Sequence, residues 1–258
     1  MKSKLFSVVS CVLFLGVIAG VAVADPDLSW TDKWFQRPEM QEPWGKDIES
    51  NISLDGNLNV VVMDDWRCNN SEAPVKGFRW WGSYFEGHSI NDLVGFQIVI
   101  HTDIPEAGTD PSQPGEQLVS NFKPIGDVAF EHSIGFDSYG DEVFEYFVWL
   151  DECFWQTEGE VYWVGISAVV QNADPQDPQP VWGWHTGHPD EFTGDGIDDA
   201  VQIFDYDVDG AYSDWEELWH EGYGSLNMAF EVIPEPSTLL MVVPGLIGLA
   251  AAVLRRKK

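Results

Sequence analysis

The chain has 258 residues, with 13 Lys and Arg against 43 Asp and Glu, a formal net charge of −30. Hydrophobic residues make up 44% and aromatics 14%, with 13 Trp, which excludes an acidic disordered tail. The charge excludes a nucleic-acid binder that works through a basic face.

In chain order, residues 1–24 read as a secretory signal. Lys2 and Lys4 open it, an apolar run Leu5–Ala22 follows, and Ala22-Val23-Ala24 supplies a small-x-small cleavage step before Asp25. Residues 25–233 form the exported part. It carries seven basic and 42 acidic residues, a net charge of −35, and all 13 Trp. Such a surface repels anionic polymers and lipids and attracts cations. Asp25–Glu49, with Trp30, Trp34 and Trp44, is expected to lie as an aromatic arm across the domain, because three Trp are costly to leave in water.

Strand signals dominate the exported part beyond this arm. The candidate runs are Leu58–Met63, Gly77–Tyr84, Val94–Thr102, Gln117–Phe122, Asp127–Ile134, Glu142–Leu150, Glu160–Val170, Val181–His185, Ala200–Phe204 and Leu226–Ile233. They are rich in Val, Ile, Phe, Tyr and Trp, and Gly, Pro, Asp and Asn punctuate the gaps. In the last run Leu226, Met228, Phe230 and Val232 point one way, and Asn227 and Glu231 the other. Ile104–Glu116 and Asn172–Pro180 read as long polar loops, and Asp214–His220 as a short helix. Short strands without repeating βαβ units predict an all-β fold, a single jelly-roll-like β-sandwich.

Cys68 and Cys153 are the two cysteines of the exported part, and an oxidising compartment favours a disulfide between them over two separate buried thiols. Asp205-Tyr206-Asp207-Val208-Asp209-Gly210, with Glu216 five residues further on, matches a calcium loop. Alternating acids converge when Gly permits a sharp turn, Ala211 offers a carbonyl, Ser213 a hydroxyl or bridging water, and Glu216 closes the shell with two oxygens. An acidic hairpin tip is the other reading. A second acidic stretch, Asp190-Glu191 through Asp195, Asp198 and Asp199, lies just upstream. His185, His188 and Asp190 could hold zinc, although Gly187 and Pro189 break the helical spacing that would turn two such histidines together. His101 with Asp103, and His132 with nearby acids, have weaker claims. Trp80, Trp81, Trp182 and Trp184 are candidate sugar-stacking rings. Trp80 and Trp81 point to opposite faces of a strand, so one of them could be exposed while the other is core.

At the C-terminus Leu239–Leu254 is apolar or small and ends in Arg255-Arg256-Lys257-Lys258. As a helix it spans about 24 Å, slightly short of a bilayer core, and the basic end would stay cytoplasmic. Ile233-Pro234-Glu235-Pro236-Ser237-Thr238, this helix and the basic tail, residues 234–258 together, resemble the PEP-CTERM sorting signal. The resemblance implies a Gram-negative bacterium, processing by signal peptidase and by an exosortase near Pro234-Glu235-Pro236, passage through the inner membrane, and residence at the cell surface or in a biofilm matrix. Asp64-Asp65-Trp66-Arg67-Cys68, Trp80-Trp81-Gly82-Ser83-Tyr84, Ile100-His101-Thr102-Asp103, Trp182-Gly183-Trp184-His185-Thr186 and Asp198-Asp199-Ala200-Val201 resemble an uncharacterised domain of planctomycete-type PEP-CTERM proteins. That domain implies no activity.

No nucleophile elbow, P-loop or dinucleotide fingerprint occurs. The expectation is an exported, non-catalytic, structural or adhesive β-sandwich without cofactor other than calcium. A carbohydrate-binding module for extracellular polysaccharide and a secreted glycan-active or metal-dependent hydrolase are the alternatives.

Overall fold

In the computed structural model the described residues are 34–56, 59–69, 72–107, 111–128, 130–171, 180–188, 199–204, 215–220 and 224–235. The strands are β1 (Trp34–Gln36), β2 (Asp47–Glu49), β3 (Asn51–Ser53), β4 (Asn59–Arg67), β5 (Val75–Tyr84), β6 (Leu93–Ile104), β7 (Gln113–Pro124), β8 (Phe130–Phe136), β9 (Glu142–Phe154), β10 (Val161–Val170), β11 (Trp182–His185), β12 (Val201–Phe204), β13 (Glu216–Glu217), β14 (Trp219–His220), β15 (Gly224–Ser225) and β16 (Phe230–Pro234).

They build two seven-stranded sheets and a short β14–β15 ribbon. In the first sheet β5 is central. It pairs with β9, and through it β8, on one side, and with β16 and β11 on the other, where β1 and β2 form the outer rank. The second sheet runs β13, β12, β4, β3, β10, β6, β7, with β4 also pairing directly with β10. Alternating residues of the two inner faces meet in one core. Val62 and Trp66 of β4, Phe96 and Ile98 of β6, and Val164 and Ile166 of β10 face Phe78 and Trp80 of β5, Tyr146 of β9, Trp182 and Trp184 of β11, and Phe230 of β16. Aromatic rings dominate its centre. Trp80 stacks on Tyr146 at 5.6 Å between centroids, and Phe96 meets Trp80, Tyr146 and Trp182 at 5.1 Å each.

The chain changes sheet at Ser50-Asn51. Ser50 is buried, its hydroxyl donates to the Ile166 carbonyl at 2.8 Å, and it accepts from the Val62 N–H at 3.2 Å. The Asn51 amide mimics a ladder pair: it donates to the Trp182 carbonyl at 2.7 Å and accepts from the Trp182 N–H at 3.0 Å. Backbone groups at a sheet corner have no strand partner, and this side chain supplies one. At the opposite edge Lys123 of β7 and Asp151 of β9 join the sheets with a 2.5 Å ion pair, and Asn121 donates to the same carboxylate at 3.0 Å.

The expected strands appear, most with shifted ends, and four expectations are corrected. Asp214–His220 is not a helix over its described residues, because Glu216–Glu217 and Trp219–His220 are strands β13 and β14. Ile104–Glu116 is not all loop: Gln113 pairs with Ile104, and Pro114 with Asp103. Proline is tolerated there because β7 is an edge strand and its missing N–H breaks no inner ladder. Asn227 and Glu231, the expected polar face of the last strand, are buried. Glu231 packs under the N-terminal arm and meets Arg79 Nη1 at 3.0 Å. Cys68 and Cys153 are free thiols. Cys68 is in the core just beyond β4 of the second sheet, whereas Cys153 is half-buried in β9 of the first.

Candidate functional site

Trp80, Trp182 and Trp184 are 0% exposed and Trp81 is 4% exposed, so no ring of the expected sugar platform reaches solvent. Trp80 and Trp81 do take opposite faces of β5. The second face is covered because the arm returns over it: Phe35 meets Trp81 edge-on at 6.1 Å, and Met40 packs on the same cluster. Among the described residues of this sheet Trp149 of β9 is an exposed Trp, and its ring lies across Gly77 of β5, where a Cβ would come within 2.8 Å of it. Gly77, opposite Trp149 in the ladder, was the available signal for it.

The expected calcium ligands Asp205, Asp207, Asp209 and Ala211 lie outside the described residues, as do Ser213, Asp190, Glu191, Asp195 and Asp198. Of that set Glu216 is described. It is exposed in β13 and pairs with Gln202 of β12, so the approach to the acidic loop is by strands on both sides. Asp199 is half-buried and raises the pKa of Asp64, which burial, the larger cause, already drives well above the ordinary carboxylate value. Asp64 accepts from the Met228 N–H at 2.6 Å and the Asp65 N–H at 2.8 Å, which ties β4 to the entry of β16.

The histidines part company. His101 is buried and its Nδ1–H donates to the Gly115 carbonyl at 2.8 Å, while Asp103 accepts from Trp163 Nε1 at 2.9 Å and from Ser112 at 2.5 Å. Burial holds the His101 imidazole below its usual pKa, with the Gly115 carbonyl opposing. His132 lies exposed on β8 opposite Glu145. His188 turns to Glu39, its Nε2 3.2 Å from Oε2.

His185 has other partners than its sequence neighbours. It ends β11, and its Nδ1 lies 2.9 Å from Asp47 Oδ1 on the adjacent β2 while its Nε2 lies 2.6 Å from the Glu39 carbonyl. Asp137, at the start of the turn between β8 and β9, completes a cluster. One ligand atom each from Asp47, Asp137 and His185 lies within 4.8 Å of the others. Three segments converge here because Thr186 fastens the arm to β11. Its N–H donates to the Lys46 carbonyl at 2.8 Å, its hydroxyl to the Trp44 carbonyl at 2.5 Å, and its carbonyl accepts from the Glu39 N–H at 3.0 Å. The β8–β9 turn docks on the arm through Ser138 N–H to the Met40 carbonyl, 3.0 Å.

The charge state follows from the partners. Burial alone would lower the His185 pKa, but the hydrogen bond and charge of Asp47, with the Glu39 carbonyl, outweigh it and raise the pKa above the ordinary value. Both ring nitrogens face acceptors, which an imidazolium satisfies with two donors. Asp137 Oδ1 accepts from the backbone N–H groups of Tyr139, Gly140 and Asp141 at 2.9, 2.9 and 3.0 Å. Its Oδ2 is buried and has no hydrogen-bond partner. Nothing in the sequence marked Asp47 or Asp137 among 43 acids.

A separate surface pocket of about 400 Å³ is lined by Tyr84, Phe144, Glu131, Glu142 and His88, among others. Tyr84 donates to Glu131 Oε1 at 2.7 Å and meets Phe144 edge-on at 5.5 Å. The family described as a domain of unknown function, DUF7901, matches residues 32–233, which span both sheets from the arm to β16. The chain belongs to the DUF7901 family. No curated protein and no solved structure matches it. The DUF7901 match thus takes in Asp47, Asp137 and His185 as well as the pocket. Among the described residues no helix is long and apolar enough to cross a membrane, and 239–254 lies outside them.

Proposed function

We propose that this DUF7901 protein is an exported cell-surface or extracellular-matrix component with a structural or adhesive, non-catalytic role. Residues 1–24 are its signal peptide, and 234–258 its exosortase sorting segment, with a membrane helix at 239–254. The observation that carries the reading is how the last described strand ends. Pro234 is the last residue of β16 and is buried against Val75, the Glu235 N–H donates to the Pro74 carbonyl at 2.8 Å, and the Glu235 side chain is exposed. A peptidase acting just beyond this point would leave both described sheets intact. The way the chain passes repeatedly between the sheets supports the jelly-roll-like description.

The test is a paired substitution, Glu235→Ala with Pro236→Ala, in an exosortase-bearing Gram-negative host. The variant keeps the melting temperature of the domain but accumulates as an unprocessed membrane form. Identical processing with and without the motif would exclude exosortase handling.

The pocket favours a second reading, carbohydrate binding. Tyr84 and Phe144 offer ring surface, and Glu131 and Glu142 accept hydroxyl hydrogen bonds. Two carboxylates would select neutral or amino sugars over uronates. A glycan array decides it: binding of neutral or amino sugars that is lost in Tyr84→Ala supports a sugar site there.

A further inference from the structure

We propose that Asp47, Asp137 and His185 bind one divalent transition-metal cation, of the zinc or manganese class, that locks the N-terminal arm onto the first sheet. Two independent observations meet at this point. The first is the donor set: an imidazole nitrogen and two carboxylate oxygens within 4.8 Å of one another, on side chains sealed from solvent, with His185 at 0% and Asp137 at 7% exposed. The second is the orphaned Asp137 Oδ2. Its sister oxygen already receives three N–H donors, so the carboxylate is held rigidly by one oxygen while the other, buried, meets no donor. A buried anionic oxygen without a partner is costly, and a cation is the group that satisfies it.

The histidine is oriented as a ligand would be. Its Nε2–H donates to the Glu39 carbonyl, the outer hydrogen bond that fixes a ligating ring and leaves Nδ1 to the metal. With metal–nitrogen and metal–oxygen bonds of about 2.0–2.2 Å, three donors around one ion stand roughly 3.4 Å apart. The three donors lie within 4.8 Å of one another, and binding of the ion draws them in to that spacing. The step balances simply. The ion takes the place of the Nδ1 proton, which leaves to solvent, and no electron is transferred. Two carboxylates and a neutral imidazole carry two negative charges, which the ion cancels. The imidazole nitrogen favours zinc over calcium, whose shell is built of oxygens, and the two carboxylates admit manganese.

The experiment uses the full chain, stripped with chelator, dialysed and titrated with zinc chloride in a calorimeter. One ion binds per chain and the melting temperature rises. Asp137→Asn, which keeps Oδ1 as the acceptor for the three turn N–H groups, weakens zinc binding at least tenfold without lowering the metal-free melting temperature. Zinc-edge X-ray absorption of the wild-type chain shows one imidazole nitrogen with oxygens in the first shell, which tests the site even where a variant fails to fold. Absence of one-to-one binding, undiminished binding in Asp137→Asn, or a shell of oxygens alone would overturn the assignment.

Discussion

Asn51 shows how much a single side chain carries in this fold. It holds both backbone groups of Trp182 at the place where the chain leaves one sheet for the other. Asn51→Ala leaves the buried Trp182 N–H without its partner and its carbonyl with the long 3.5 Å bond from the Ser50 N–H, at a cost of about 2 kcal/mol. Urea unfolding should show a lower midpoint at unchanged slope. His101 makes a pH-dependent contribution whose sign follows from its burial. Its folded pKa is lowered, so below the ordinary imidazole value of about 6.5 the unfolded chain takes up a proton that the folded chain refuses. Stability present above that pH is therefore lost as pH falls through the lowered folded value. In His101→Gln the decline in unfolding free energy between about pH 7.5 and 5 should be shallower than in the wild type. Parallel curves for the two proteins would assign the decline to other groups. Neither residue was legible as a structural keystone, because Asn and His are ordinary in a sequence until their partners are known.

At the scale of the element, alternation was readable and coverage was not. Each of the ten expected strands has a counterpart, since a β-branched and aromatic run bounded by turn residues is a local property. What covers the outer face of a strand is not local. The arm turns Trp81 from an expected binding ring into a covered one, and the same arm buries Glu231. Phe35→Ala should uncover Trp81. A red-shifted emission and stronger iodide quenching than in the wild type would report it, with a stability loss of about 1 kcal/mol for a ring only partly buried. Gly82 marks the reverse case, in which a small residue is required. A Cβ there would stand 2.2 Å from the Trp182 ring and 2.4 Å from the Gly183 carbonyl, where β5 and β11 pair. Gly82→Ala therefore forces the two strands apart at the middle of the sheet. We expect a loss of about 2–3 kcal/mol by thermal or urea unfolding.

For the molecule as a whole, charge and thiols set the expectations. A net charge of −35 between residues 25 and 233 means that the folded state works against its own repulsion. Added salt shortens the screening length to about 10 Å at 0.1 M and about 3 Å at 1 M. The melting temperature should rise from low salt to about 0.5 M sodium chloride, and a falling curve would point to attractive pairs in control. Cys68 and Cys153 should both be recovered as free thiols by non-reducing peptide mass spectrometry. Cys153, half-buried, should react with a thiol reagent in the native state, and Cys68 only after unfolding. A recovered Cys68–Cys153 peptide would show that the two thiols are not free.

The sequence by itself determined the all-β character, most of the strand positions, and an acidic surface with no basic face. These follow from composition and from a period of two that each segment carries alone. Only the tertiary structure decided which residues meet. His185 finds Asp47 across 138 positions rather than His188 across three, and the four candidate Trp end up inside rather than at a surface. The reason is that a side chain's neighbours depend on which strands pair and in what register, and a two-residue repeat is the same whatever lies beside it.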